Sequence, residues 1–557
     1  MNNIKELLNE IYGSEVASTT FDECQNLIEK FRPRVDPAPF PLSEKDAMLI
    51  TYGDQVQGHQ TGRFIEELHD FYKEHLKEII NAVHFLPFFP YTSDDGFSVV
   101  DYLQIDPDLG DWQQVKAFSH DANLMFDAVV NHISKSSNWF KGFCEGLPEF
   151  ENFFIAEDPK KDLSMVTRPR ALPLLHPFET NEGTKHIWTT FSEDQVDINA
   201  SNPKVIVKVL EALLLYAENG AKYIRLDAIA FLWKEIGTTC IHHPKTHAIV
   251  KLFRAVFEEV CPGLKIITET NVPHEENLSY FGNGNDEAHL VYNFTLPPLL
   301  AWSILNQNSD RLRNWANTLE LSSKDVTFFN FTASHDGIGM RPIQGILTPK
   351  EIEDLAQHSL DRGGHISYKD NGDGTKSPYE LNCNYMDFLN PLNLPLTMKV
   401  QRFLCAQAVM LAMPGVPGVY IHSLLGSSNF HEGVEETGRA RSINRQKFQR
   451  EQLEQELSEE GGRRQLVFSG YQALLKVRSQ HDAFSPQSET TYPDFGDKVF
   501  AIQRKGVSGS VLCLFNLSSS PAKISHGLST TSLFNQKVSE GISQLSPNSF
   551  EWLSIED

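Results

Sequence analysis

The sequence predicts an α/β protein built on a closed, eight-stranded parallel barrel. Three observations carry that prediction. Eight short apolar runs recur along the chain, most are separated by helical patterns, and polar or charged residues gather where those runs end. Such alternation is the mark of a (β/α)8 TIM barrel, whose strand C-termini converge on one face.

The strands are expected at "AMLITYGDQ" (47–55), "AVHFLPFFP" (82–90), "NLMFDAVVNH" (123–132) and "KYIRLDAI" (222–229). The other four are "LKIITET" (264–270), "HLVYNF" (289–294), "VTFFNFTASHD" (326–336) and "VPGVYIHS" (416–423). The connector "PKVIVKVLEALLLYAENG" (203–220) has apolar residues at three- and four-residue spacings and stops at Gly220, a helix and its C-cap. Residues 1–132 are assigned to the first part of the barrel with an N-terminal helical extension, and 133–200, too long for a simple connection, to an inserted subdomain. Residues 201–336 continue the barrel, and 337–400, with the turn-rich "GDGTKSPYELNCNY", read as a loop-rich insert over its mouth. Residues 401–485 end the barrel. From 486 to 557, short alternating runs such as "KVFAIQRKG" and "SVLCLFNLS" predict an antiparallel β domain. The charged stretch 445–465 reads as a solvated helix.

Composition excludes several function classes. The 557 residues include Lys+Arg 49 against Asp+Glu 73, a net charge of −24, so general affinity for nucleic acid is not expected. The start "MNNIKELLNEIYG" lacks the pattern of a secretory signal, and "FLCAQAVMLAMPGVPGVYI" is interrupted by Gln407, Pro414 and Pro417, giving a helix, a turn and a strand rather than a membrane span. Seven cysteines, odd in number and without metal-like spacing, read as free thiols in a reducing compartment. The expectation is a cytoplasmic protein without cofactor or membrane partner, whose oligomeric state the sequence leaves open. In the loop "KDNGDGTKSPYE", Asn371, Asp373, Gly374 and Glu380 fall at positions like those of a calcium-binding EF-hand, but Lys369 stands at the first ligand position and Pro378 where a helix should follow, so no metal is assigned.

The chemistry lies at the strand ends. Asp54, Asn131 and His132, Arg225 and Asp227, Glu269, and His335 and Asp336 all close apolar runs. Arg225 and Asp227 are two residues apart on one strand and share a face, so they are either a structural ion pair or a working group. Asp227 and Glu269, on successive strands, fit glycoside chemistry, in which one carboxylate attacks the anomeric carbon while the other protonates the leaving oxygen. Arg225 would keep Asp227 ionised, the apolar setting of Glu269 would raise its pKa, and Asp336, His132 and His335 would bind sugar hydroxyls.

"FDAVVNH", "IRLDAI", "ITETN" and "FTASHD", in that order, resemble the four signature regions of the α-amylase superfamily, glycoside hydrolase family 13, and "DDGFSVVDY" (94–102) a further motif of it. The resemblance spans roughly residues 45–480. It implies Asp227 as nucleophile, Glu269 as acid/base and Asp336 as transition-state stabiliser, with Arg225, His132 and His335 around the sugar and Tyr102 as aromatic platform. "ITYGDQ", "RPRALPLLHPF", "WTTFSEDQVDIN", "GTTCIHHPKTH", "SPYELNCNYMDFL" and "PGVPGVYIHSLLGSSN" resemble the sucrose phosphorylase subfamily, on its glucosylglycerol and glucosylglycerate phosphorylase branch. By that resemblance an α-glucoside and inorganic phosphate are the substrates. Asp54 and Arg441 hold the glucosyl unit, Arg170 contacts phosphate, and Tyr379 and Glu380 lie on a loop facing acceptor or phosphate.

Arg168 and Arg170 in "TRPRAL" offer forked cations for phosphate. Ser428, where relatives carry Arg or Lys, favours a neutral acceptor and hence glucosylglycerol, with glucosylglycerate and sucrose as alternatives. A hydrolase or transglucosidase of the same superfamily, and more remotely a non-catalytic sugar-binding protein, complete the alternatives.

Overall fold

The structure, a computed structural model, describes residues 2–58, 62–169, 172–371 and 374–556. Arg170 and Asp373 therefore lie outside the described residues. The eight expected strands all form: β1 (Met48–Thr51), β2 (Ala82–Phe85), β3 (Asn123–Ala128), β4 (Ala221–Leu226), β5 (Lys265–Thr268), β6 (Leu290–Tyr292), β7 (Thr327–Asn330) and β8 (Val416–Tyr420). They close into one barrel in sequential order, every neighbour parallel, with β1 pairing both β2 and β8. Their side chains are buried almost throughout, between the barrel interior and the surrounding helices, which is why these strands read as continuous apolar runs.

The helices follow from their patterns. Pro203–Glu218 starts on Asn202, whose side chain accepts the Lys204 N–H, with Pro203 in the first turn. The chain turns at Gly220, with φ of 98°, where a Cβ would lie 2.4 Å from that of Ser119. Ahead of the barrel, helices Asn2–Tyr12 and Ser14–Phe31 pack on Pro203–Glu218 and Pro244–Val260.

Between β3 and β4 the chain leaves the barrel. His132–Ser134 pairs antiparallel with Gln195–Asp197, and Leu175–Thr180 forms a hairpin with Gly183–Trp188. After β7, the turn-rich segment is more regular than its composition suggests. His365–Asp370 and Lys376–Asn382 make a hairpin that also pairs with Ile338–Gly339 in a three-stranded sheet. The charged stretch 445–465 is not one solvated helix: helix Arg450–Ser458 ends before Gly461 and Gly462, and helix Arg463–Arg478 begins with Arg464 buried.

Six antiparallel strands between Glu489 and Ile555 form the C-terminal sheet. Its faces alternate: Phe500, Ile502, Cys513 and Trp552 join the main core, whereas Val499, Ala501, Leu512 and Leu514 form a second small core. None of the seven cysteines is disulfide-bonded. Among the described residues, no helix is long and apolar enough to cross a membrane.

Candidate active site

Inside the barrel the strand register builds a charged layer. Asp127 on β3 lies opposite Arg225 on β4. The Arg225 guanidinium donates to Asp127, which also bonds the His84 Nε2 from β2 at 2.7 Å. The same guanidinium nitrogen donates to Asp227 Oδ1 at 2.7 Å. Burial opposes charge on Asp127, but Arg225 and His84 outweigh it and hold its carboxyl below the ordinary value. The aromatic rings of Phe97 and Tyr292 lie 5.8 and 5.4 Å from the guanidinium carbon.

Asp227 and Glu269 stand immediately past the ends of β4 and β5. The Asp227 N–H donates to Ala128 O and the Glu269 N–H to Leu226 O, both at 3.1 Å, so the ladder continues by one residue. Their backbones therefore occupy neighbouring positions on adjacent strands, about 4.8 Å apart. Directly after Asp227 the chain enters the left-handed region at Ala228, with φ of 47°, a strained conformation for alanine. That turn aims the Ala228 N–H at Glu269 Oε2, 2.9 Å away.

Asp227, Glu269 and Asp336 line a single cavity at the mouth of the barrel. Burial raises the Asp227 carboxyl, and the charges of Glu269 and Asp127 add to it, against the pull of Arg225. Burial likewise raises Glu269, with Asp336 adding to it and Arg225 opposing. Such a pair holds a proton readily, and the direct guanidinium contact favours the charge on Asp227. Asp336 goes the other way. Burial would raise it, but Arg441, His335 and Arg445 prevail and hold it well below the usual carboxylate range. Arg441 Nη1 lies 2.6 Å from Asp336 Oδ1, while its Nε and Nη2 grip Glu380 at 3.0 and 2.6 Å.

His132 and His335 both line the cavity. Burial keeps both neutral, pushing His335 down to about 3. The His335 ring stacks on Phe97 with centroids 4.8 Å apart and planes 3° apart. In His132, Nε2 donates to Phe97 O at 2.9 Å and Nδ1 meets the Asn131 amide at 3.2 Å. Its imidazole is thus already engaged by the protein. Tyr379 and Glu380, on the hairpin strand, line the same cavity and a second one continuing outward beside Arg439 and Arg441.

Several expectations need correction. Tyr102 is not the aromatic platform: its hydroxyl donates to Val129 O and His132 O, both at 2.9 Å, and its ring packs on Trp139 away from the cavity. A buried phenol needs a partner for its hydroxyl, and the end of β3 supplies two carbonyls. Phe97, from the same motif, lines the cavity instead. Asp54 is not part of the cavity wall and pairs with Lys447 at 2.5 Å. Arg168 is exposed and does not line the cavity. Ser428 lies outside it too, engaged by Arg463 and by Asp387, so its lack of charge says nothing about the acceptor.

Other wall residues were not foreseen, among them Gln195, Phe191, Asn271 and Arg341. Behind the wall, Arg445 donates to His335 O at 2.8 Å and to Asp95. Gln195 stands in the inserted segment, where only its neighbourhood in "SEDQVDIN" hinted at a role.

Comparison with known proteins agrees with this geometry. Residues 72–337 match the α-amylase catalytic domain. The chain is 48% identical over 528 residues to glucosylglycerate phosphorylase of Spirochaeta thermophila, covering 93% of this chain and 89% of that protein. It is 29% identical over 467 residues to glucosylglycerol phosphorylase of Marinobacter adhaerens, covering 81% and 90%. The crystal structure of sucrose 6F-phosphate phosphorylase from Thermoanaerobacter thermosaccharolyticum has the same fold, with a TM-score of 0.75 at 23% identity over 92% of this chain and 98% of the other. With its closed barrel and its carboxylates at the strand ends, the chain belongs to the α-amylase family, glycoside hydrolase family 13, within the sucrose-phosphorylase-like subfamily.

Proposed function

We propose that the protein is a retaining glucoside phosphorylase that cleaves glucosylglycerate with inorganic phosphate, giving α-glucose 1-phosphate and glycerate. The observation that carries the reading is the meeting of Asp227, Glu269 and Asp336 on one cavity, with Arg225 bonded to Asp227. In the first step an Asp227 oxygen attacks the glucosyl C1. The bond from C1 to the acceptor oxygen breaks, and Glu269 gives that oxygen its proton. Asp336, kept ionised by Arg441, faces the positive charge that develops on the sugar ring. In the second step a phosphate oxygen attacks C1 from the face the acceptor left, its proton returns to Glu269, and the Asp227 carboxylate departs. Two inversions give net retention.

Arg225 serves by keeping Asp227 anionic, and the neutral His335 and Phe97 line the sugar. The expectation that Arg170 meets phosphate remains part of this proposal.

For the acceptor, the 48% relative acts by its name on glucosylglycerate and the 29% relative on glucosylglycerol. The greater likeness favours the carboxylated acceptor. The sequence reading preferred glycerol because of Ser428, and that residue is turned away from the cavity. The test is release of glucose 1-phosphate from glucosylglycerate, glucosylglycerol and sucrose, each with and without phosphate. Phosphate-dependent release with glucosylglycerate favoured is expected. Glucose appearing equally fast without phosphate would show a hydrolase, and a preference for glucosylglycerol would reverse the acceptor assignment.

A further inference from the structure

Five carboxylates line the cavity: Asp94, Asp227, Glu269, Asp336 and Glu380. An acceptor carrying its own carboxylate meets repulsion there unless a cation answers it. Two arginines stand among the described wall residues, and Arg441 is already held by Asp336 and Glu380. Arg341 is the other. Among the described residues its guanidinium has no carboxylate or hydrogen-bond partner.

Its position is fixed by close packing. Arg341 opens a short turn directly after Ile338–Gly339, which pairs with Leu381 and Glu380 of the hairpin. The Met340 N–H donates to Tyr379 O at 2.9 Å. On the opposite side, a Cβ on Gly339 would lie 2.6 Å from Asn271 Oδ1, so this segment rests on the loop that carries Glu269. Asn271 Oδ1 is itself buried without a hydrogen-bond partner among the described residues. An acid that protonates the leaving oxygen must stand beside the leaving group, so the acceptor sits along the Glu269 loop, where Asn271 and Arg341 complete the wall.

We propose that Arg341 is the residue that selects a carboxylated acceptor, its guanidinium taking the glycerate carboxylate while the cavity's other described arginine is committed. The inference rests on the phosphorylase reading above. Asn271 Oδ1 is placed to accept a hydroxyl of the same acceptor. A planar fork suits a carboxylate better than a point charge does, which explains an arginine here rather than a lysine.

The test is the ratio of kcat/KM for glucosylglycerate to that for glucosylglycerol, at saturating phosphate, in the full-length enzyme and in Arg341→Ala and Arg341→Lys. Arg341→Ala should lower the ratio by about tenfold or more, and Arg341→Lys should recover part of it. A thermal melt verifies folding, and Arg341→Gln, which keeps most of the side-chain volume, replaces the alanine variant if that variant does not fold. A ratio within about twofold of the parent overturns the inference. So does a rise confined to the phosphate KM, which would assign Arg341 to phosphate alone. A parent enzyme that turns over glucosylglycerol but releases nothing from glucosylglycerate defeats the acceptor assignment, and this inference with it.

Discussion

At the scale of single residues, the pair Arg225 and Asp227 shows how a strand can carry charge into a core. Arg225 is 2% exposed, and its cost of burial is offset by two carboxylates, one structural and one facing the cavity. Removing Asp127 leaves the guanidinium with half its compensation. Asp127→Ala should therefore destabilise the protein by about 3–5 kcal/mol, read as the loss of urea resistance, because an uncompensated buried charge remains. A change below about 1 kcal/mol, the range of exposed ion pairs, would show that the layer is solvated and would remove the argument for Asp227 being held ionised by it. The sequence exposed Arg225 and Asp227 because two charges interrupt an apolar run. It could not tell Phe97 from Tyr102, since both lie in one motif. Which ring faces the cavity depends on where a phenol hydroxyl finds partners, and those are the carbonyls of Val129 and His132, about thirty residues away.

At the scale of elements, legibility follows from how local the cause is. The barrel strands are buried on both faces, so their apolar runs announce them, and each stops where polar side chains begin. Gly, Asn and Pro punctuate the turn-rich segment after β7, so its sequence predicts a loop. It is a hairpin because His365–Asp370 and Lys376–Asn382 pair antiparallel. Pairing between 365–370 and 376–382 is local, but the third strand, Ile338–Gly339, is about forty residues away and only two residues long, below any periodicity signal. That short strand brings Glu380 beside Asp336 and presents Arg341 to the cavity. The same holds for Arg441 and Arg445, whose partners lie in β7's loop and in the β2 loop. The strand-end carboxylates are legible from the apolar runs, and Tyr379, Glu380 and Arg441 from the family resemblance, whereas Phe191, Gln195, Asn271 and Arg341 join the wall only through the fold.

At the scale of the whole molecule, burial of histidines makes stability depend on pH. Burial lowers the pKa of His84, His132, His274, His289, His335 and His422, to about 4 for His274 and about 3 for His335. Below the ordinary value of 6.5 the unfolded chain takes up protons at these sites while the folded one does not, so stability falls as pH falls, by up to about 1.4 kcal/mol per pH unit for each. The raised carboxyls Asp46 and Glu269 act in the opposite sense, being protonated first in the folded state. The histidines outnumber them, so the urea midpoint should drop between about pH 6.5 and about pH 4. A midpoint constant or rising over that interval would contradict the burial of these rings as neutral groups. The central claim concerns the assembled site: Asp227 becomes covalently attached to the glucosyl C1. The most direct measurement is mass spectrometry of a Glu269→Gln variant incubated with α-glucosyl fluoride, whose fluoride leaves without an acid, while the missing base slows attack by water. The account predicts one glucosyl group esterified to the peptide containing Asp227 and released as glucose 1-phosphate when phosphate is added. A rapidly turned-over fluoride with no adduct, or an adduct on another carboxylate, would contradict it.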